Sequence, residues 1–405
     1  MSINTRYLDP CPSHIAIIGG GRWARVLTET VGSIVPSSTL ISIYSAHNAN
    51  AMSLWVLEKY FKQDVRVYSD ISKLESHKID AAIVVNAARD HVLIIEKIIR
   101  LGIPVLVEKP VTLYYAETSR LARLANEKGV LFAAAHVFIF ARYLDNFSHL
   151  VSNLGKIKSI HVNWTDPKSE SRHGESKQYD QGLPVFYDWL PHVLSIITAI
   201  TSSASIKDID TYFYKGGAHV EIEFMLDDVF CHIKLIRNDD VRRRVFEVVA
   251  DQALKLDFSD EPGVIYNTEY SICGDEKWDV EKRPVAQMLS TFLVQAAGGN
   301  NDKRLDIDIG LRANRLIDSV ASFYNQALLS WLKVKLISPV LINKDLEYAL
   351  KEIIFYNGYF FGNLDECFEN IKEVFNSKDS NEWHNKILKS NKPFDIIRSI
   401  ALSKS

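Results

Sequence analysis

Three side chains in this sequence combine reactivity with a position that could use it. Lys109 lies in VLVEKPVTL (105–113), where an apolar run meets Glu108-Lys109-Pro110. Proline stops ladder pairing, so the charged pair falls at the end of a core strand, where it must be solvated or functional. Asp188 and His192 stand four residues apart in PVFYDWLPHVLSIITAI (184–200), which puts both on one face of a helix. Imidazole titrates nearest neutral pH, so a histidine beside a carboxylate can carry a proton. An isolated Asp/His pair at this spacing is more often structural than catalytic. The polar loop before it, TDPKSESRHGESKQYDQG (165–182), has a length that often carries function and favours the catalytic reading.

The elements that must position these groups begin with HIAIIGGGRWARVLTETVGSIV. An apolar strand, Ile15–Ile18, runs into Gly19-x-Gly21-x-x-Ala24 and then a helical pattern. The first glycine permits a tight turn, the second admits a pyrophosphate to the backbone, and the third small residue lets helix and strand pack closely. Helix N–H groups then face the phosphates. The second strand, TLISIYSAHN (39–48), ends without the Asp or Glu that would bind the ribose hydroxyls of NAD. Ser45 and His47 could instead bond a 2′-phosphate, with Arg22 nearby, which leans toward NADP. An ordinary polar turn is the competing reading.

Further apolar runs at 65–68, 79–87, 103–109 and 130–138 alternate with helical patterns, DHVLIIEKIIRLG and AETSRLARLANEKG among them. Such alternation predicts a parallel sheet covered on both faces, with ligands beyond the carboxyl ends of its strands. Gly19, Ser45, Asn86, Lys109 and His136 all fall at or near such ends. From about 155 the pattern changes to a strand at 156–164, the helix carrying Asp188 and His192, interrupted near its start by Pro191, and strands of period two between 206 and 270. These predict a mainly antiparallel sheet with one face covered. Arg242-Arg243-Arg244 reads as a solvated strand or turn edge. Helices are predicted over RPVAQMLSTFLVQAA and IDIGLRANRLIDSVASFYNQALLSWL, and again after 335.

Bulk composition narrows the field. The 405 residues carry 47 Lys and Arg against 50 Asp and Glu, a net charge of −3, with no general pull toward nucleic acid or anionic membranes. No apolar run reaches the roughly 18 residues of a membrane span, and the N-terminus lacks an apolar signal core. Four scattered cysteines without a CxxC pair fit reduced thiols in a cytoplasmic protein and no metal site.

Together the glycine turn, Glu108-Lys109-Pro110, the Ala135-His136 segment HVFIFARYLDNF and Asp188-x-x-x-His192 resemble the Gfo/Idh/MocA oxidoreductases over about residues 13–330. The resemblance implies a Rossmann dinucleotide-binding domain (1–135) and a substrate and oligomerisation domain (136–334) with an open, mainly antiparallel sheet. A helical extension (335–405) has no counterpart in it. It implies hydride transfer between NAD(P) and a carbonyl or alcohol carbon of a sugar, cyclitol or nucleotide sugar. Lys109 matches the family's EKP lysine, and Asp188 and His192 match its catalytic Asp and His. His192 would carry the proton, Asp188 would orient it or hold a substrate hydroxyl, and Lys109 would donate to the reacting oxygen. Tyr187 and Tyr179 are the next proton carriers to consider. The expected cofactor set is Gly19, Gly21, Arg22, Trp23, Ser45, His47, Asn86, Glu108, Lys109 and His136, with Glu108 turned toward loop backbone.

Departures are Leu190 for the family's glycine, Ser195 for its last Asp, and Ile139 for its Arg, with Arg142 three positions on; they put the substrate in question. The aromatics Phe355, Tyr356, Tyr359, Phe360 and Phe361 are expected to pack on the body or a neighbouring subunit. Too few helices flank the strands between 206 and 270 to cover an apolar sheet face, so a homodimer or homotetramer is expected. Two alternatives fit the same chain: reduction of a C=N bond, and a non-catalytic dinucleotide sensor. The survival of Lys109, Asp188 and His192 together argues against the sensor. The sequence leaves substrate and reaction direction open.

Overall fold

The computed structural model describes residues 7–168, 171–172, 175–176, 183–201, 205–281, 283–336, 343–355 and 363–403. Tyr179, Tyr356, Tyr359, Phe360, Phe361 and the Phe355 side chain lie outside the described residues, as does much of the loop before Asp188. Packing gathers the chain into two compact units, each discontinuous in sequence. The first contains residues 1–152, 191–202 and 273–316, and the second 153–190, 203–272 and 317–405.

The first unit is built on a six-stranded parallel sheet of β1 (His14–Ile18), β2 (Leu40–Tyr44), β3 (Asp64–Tyr68), β4 (Ala81–Val84), β5 (Val105–Val107) and β6 (Phe132–Ala134), in the order β3-β2-β1-β4-β5-β6. The connecting helices are α1 (Arg22–Ile34), α2 (Ala49–Glu58), α3 (His91–Arg100) and α4 (Tyr115–Lys128), with α5 (Arg142–Val151) following β6. Helix α3 turns Ile95, Ile98 and Ile99 into the core, the three-and-four spacing its sequence predicts. Helix α4 stops at Gly129, whose φ of 63° supplies the left-handed cap. The strand expected over 130–138 pairs only at Phe132–Ala134, because Val137–Phe140 coils into a 3₁₀ turn. The sheet order reverses between β1 and β4, the kind of switch point where ligands bind in open α/β sheets.

The second unit holds an eight-stranded sheet of β7 (Ser159–Pro167), β10 (Ile206–Tyr214), β11 (His219–Leu226), β12 (Val229–Asp239), β13 (Arg243–Val249), β14 (Ala253–Asp257), β15 (Val264–Tyr266) and β16 (Ser271–Cys273). The short pair β8 (Ser171–Arg172) and β9 (Glu175–Ser176) stands apart from it. Its order is β10-β11-β12-β7-β13-β14-β15-β16, and β7 against β12 is its parallel pair. Val220, Ile222 and Phe224 alternate inward and are buried.

Helices α6 (Val185–Ile200), α7 (Pro284–Ala296), α8 (Ile307–Leu336), α9 (Lys344–Phe355), α10 (Leu364–Phe375), α11 (Ser380–Lys389) and α12 (Pro393–Ala401) complete the described elements. Phe213 of β10 packs on Tyr324 and Trp331 of α8, with ring centroids 5.4 and 5.9 Å apart. The apolar sheet face is therefore buried within its own unit, and the opposite face carries half-buried His161, Asn163, Glu221, His232 and Lys234. That differs from the uncovered apolar face expected from sequence. Among the described residues no helix is long and apolar enough to cross a membrane.

Two local expectations are corrected. Helix α6 continues through Pro191. A mid-helix proline costs about 3 kcal/mol, and the burial of Phe186, Tyr187, Leu190, Val193, Ile196 and Ile197 offsets it. Arg244 is not a solvated edge: it is 3% exposed, ion-paired to the buried Asp166 and stacked 4.3 Å from the Trp164 ring. Its neighbour Arg243 is exposed, because successive strand residues face opposite ways.

Candidate active site

The glycine turn leaves β1 at Gly19, whose N–H donates to the Tyr44 carbonyl at 2.9 Å. Its φ is 153°, and a Cβ there would stand 2.9 Å from the Val85 carbonyl oxygen. A Cβ at Gly20 would run into Ser45 Oγ, whereas one at Gly21 would meet nothing within 4 Å. Gly21 caps α1 without any capping side chain, and no acid occupies the first turn. An open backbone at the positive end of a 13-residue helix fits the pyrophosphate of a dinucleotide. Arg22 and Trp23, both half-buried, open that helix. Ser45 is buried, its oxygen accepting the Asn48 N–H at 3.1 Å, while His47 is exposed. No carboxylate follows β2 in Ser45–Asn48.

The Glu108 N–H donates to the Val84 carbonyl at 2.8 Å, so the ladder continues one residue past β5 and fixes where Lys109 begins. The Trp23 indole N–H donates to Glu108 Oε2 at 3.1 Å, tying this turn to the start of α1. Beneath lies His91, which the sequence reading did not single out. Its ring is buried, with Nδ1 3.1 and 3.0 Å from the Pro110 and Val111 carbonyls and Nε2 3.1 Å from the Asn86 carbonyl. Burial lowers its pKa against the pull of those carbonyls. Asn314 Nδ2 donates to the Thr112 carbonyl at 2.8 Å and braces the same turn from α8. No local pattern marks His91 or Asn314, because their partners are backbone carbonyls, most of them about 20 residues or more away in sequence.

His136 follows β6 and is 1% exposed, with neither ring nitrogen hydrogen-bonded. Burial, and then the charge of Lys109, push its pKa down to about 4, so the ring is neutral at pH 7. Asn86 Oδ1, after β4, is likewise buried without a hydrogen-bond partner. Native proteins rarely leave such groups unmatched, and two of them past the carboxyl ends of β4 and β6, the strands on either side of β5, suit a polar ligand.

The half-buried His192 lies edge-on to Phe138, two residues past His136, with ring centroids 4.9 Å apart. The first unit thus brings His192 beside the segment that carries His136, which feels the charge of Lys109. Ser195, standing for an acid in the family pattern, donates its hydroxyl back to the His192 carbonyl at 2.8 Å. Ile139 is buried, and Arg142 is held by Asp275 at 2.8 Å and Glu281 at 3.3 Å. Those ion pairs make Arg142 a brace of its own unit.

One turn before His192 on α6, Asp188 belongs to a different environment. Its Oδ2 is 3.3 Å from Nη2 of Arg237, a β12 residue 2% exposed. Arg237 Nη1 lies 3.5 Å from the Tyr348 hydroxyl and 3.9 Å from Glu352 Oε1, both on α9. The Tyr324 hydroxyl donates to Glu352 Oε2. Burial, partly offset by Arg237, pushes Glu352 up to about 7. A cavity of about 360 Å³ opens beside these groups, with Lys344 and Lys351 also on its wall. Neither Arg237 nor Glu352 emerged from sequence reading: each is one of several charges in its segment, and nothing local marks it as the buried one.

Residues 13–136 match the GFO_IDH_MocA family model, an oxidoreductase family with an NAD-binding Rossmann fold. No curated protein matches the chain. Among solved structures, UDP-N-acetylglucosamine 3-dehydrogenase GnnA from Acidithiobacillus ferrooxidans is similar at 16% identity and a TM-score of 0.64, over 78% of this chain and 99% of that one. KijD10, a 3-ketoreductase from Actinomadura kijaniata in complex with TDP-benzene and NADP, is similar at 16% identity and a TM-score of 0.60, over 77% of this chain and 97% of that one. At such identities the likeness establishes the fold. Residues 13–136 thus carry the NAD-binding Rossmann fold of this oxidoreductase family, and the chain shares the fold of these two solved structures.

Proposed function

We propose that the protein transfers a hydride between NADP(H) and a carbonyl or alcohol carbon of a nucleotide-linked sugar. The observation that carries this reading is His136, buried, neutral and unbonded at both ring nitrogens, beside the charge of Lys109. An unmet buried polar group costs about 1–3 kcal/mol, a cost a polar ligand would relieve. The bound dinucleotide supplies or accepts the hydride. Lys109 donates a hydrogen bond to the reacting oxygen. His192 gives that oxygen a proton in reduction and takes it in oxidation. Asp188, held by Arg237, receives a substrate hydroxyl. Gly21 and the start of α1 bind the pyrophosphate, and Arg22, Ser45 and His47 face the adenosine ribose.

NADP is preferred because no carboxylate follows β2 to bind a free 2′-hydroxyl. The sugar-nucleotide class is supported by the name of GnnA and by the TDP compound held by KijD10. Isothermal titration with NADPH and NADH, followed by NADP⁺ reduction assays on UDP- and TDP-sugars, tests both halves. Tighter NADH binding would refute the cofactor preference, and activity confined to imine substrates would refute the carbon assignment. A homodimer or homotetramer is kept from the sequence expectation, although the apolar sheet face that suggested it is covered within its own unit, and light scattering giving a monomer mass at micromolar concentration would remove it.

A further inference from the structure

Helix α9 belongs to the segment after 335, for which the family resemblance offers no counterpart. It docks against the Lys215–Gly217 turn between β10 and β11. A Cβ at Gly216 would collide with the Asp345 carbonyl, and one at Gly217 with the Tyr324 hydroxyl. The two glycines therefore let α9 come close enough to bring Glu352 to 3.9 Å from Arg237 Nη1, while Nη2 of the same guanidinium is 3.3 Å from Asp188. One buried cation faces two carboxylates, and a single positive charge cannot neutralise both in a low-dielectric interior. The titratable and charged groups facing Glu352 are Arg237 from β12, Tyr324 from α8 and Tyr348 from its own helix, with Asp188 of α6 beyond Arg237.

We propose that Arg237 is the positioning residue for Asp188, and that helix α9 sets the strength of that hold through Glu352, which competes for the same guanidinium. The catalytic meaning of the hold rests on the role given to Asp188 above. With Glu352 protonated, the carboxylate charge facing Arg237 is that of Asp188. With Glu352 ionised, the guanidinium is shared and Asp188 is held less firmly. Burial pushes Glu352 up to about 7, so the competition switches near neutral pH. The helical extension is then part of how the site is built.

Carbon-13 NMR of the full chain, labelled at glutamate carboxyls, reads Glu352 without any substrate, and Glu352→Gln assigns its signal. Asp188→Asn should lower the Glu352 midpoint by about one pH unit, because Arg237 is no longer shared with the Asp188 carboxylate. An unmoved midpoint overturns the proposal. The turnover arm uses NADP⁺ with UDP-N-acetylglucosamine as probe. Wild-type kcat should fall as pH rises through about 7, and Glu352→Gln should lack that fall while binding NADPH equally well. Arg237→Lys should retain part of the kcat that Arg237→Gln loses. A pH profile unchanged in Glu352→Gln also overturns the proposal. Wild-type turnover in Asp188→Asn, with the NMR shift present, would instead refute the catalytic role of Asp188 and leave the coupling standing.

Discussion

The two sheets manage their polar groups by different means. In the first unit, Gly19, Asn86, Lys109 and His136 sit at the carboxyl ends of parallel strands, each aimed by the backbone that precedes it. Two of them, Asn86 and His136, keep buried polar atoms unbonded. In the second unit, Arg237 and Arg244 are driven into the interior and matched there by Asp188 and Asp166. The first arrangement leaves bonding capacity for a ligand at a cost in stability. The second spends that capacity internally, so removing one partner leaves a buried charge exposed to low dielectric. Changes in the first unit should therefore act on binding and turnover, and changes in the second on folding and pH response.

The largest separation of the two is expected from His192→Ala. Single-turnover hydride transfer should fall by about 10²–10⁴, the usual worth of a placed acid–base group, with NADPH affinity unchanged. Wild-type turnover would remove His192 from the chemistry and turn attention to Tyr187. Next comes Arg237→Met, which takes the guanidinium away from half-buried Asp188 and buried Glu352. Urea unfolding should show a loss of about 3–5 kcal/mol, most of it recovered when Asp188→Asn and Glu352→Gln are added. A loss no greater than that of Lys109→Met would erase the contrast between the units.

A smaller effect of opposite sign is expected from His136→Leu. Replacing an unsatisfied buried imidazole with a side chain of similar volume should raise stability by about 1 kcal/mol while weakening NADPH binding. Destabilisation without loss of binding would mean that His136 serves the fold alone. The smallest change concerns pH. Glu352 is raised in the folded protein from 4.5 to about 7, so its contribution is full at low pH and is lost as pH rises through 7. The urea midpoint of the wild type should therefore decline between about pH 5 and pH 8, and that of Glu352→Gln should decline less. Equal slopes would place the titration elsewhere.

The sequence by itself determined the parts whose physics is local. A strand, a glycine turn and a helix that must follow one another in the chain are legible, and so are the lysine just past β5 and the one-turn spacing of Asp188 and His192. Period-two alternation likewise announced the second sheet. What only the tertiary structure decided is pairing over distance. His91 gathers three carbonyls from two turns, Arg244 finds Asp166, and Arg237 joins α6 to α9 across 115 positions of sequence between Arg237 and Glu352. The pattern around Arg242–Arg244 looked solvated because one strand position in two is, and which one faces inward depends on register with β7. A charge's worth depends on burial and on its partner, and neither exists until strands and helices from distant parts of the chain have packed.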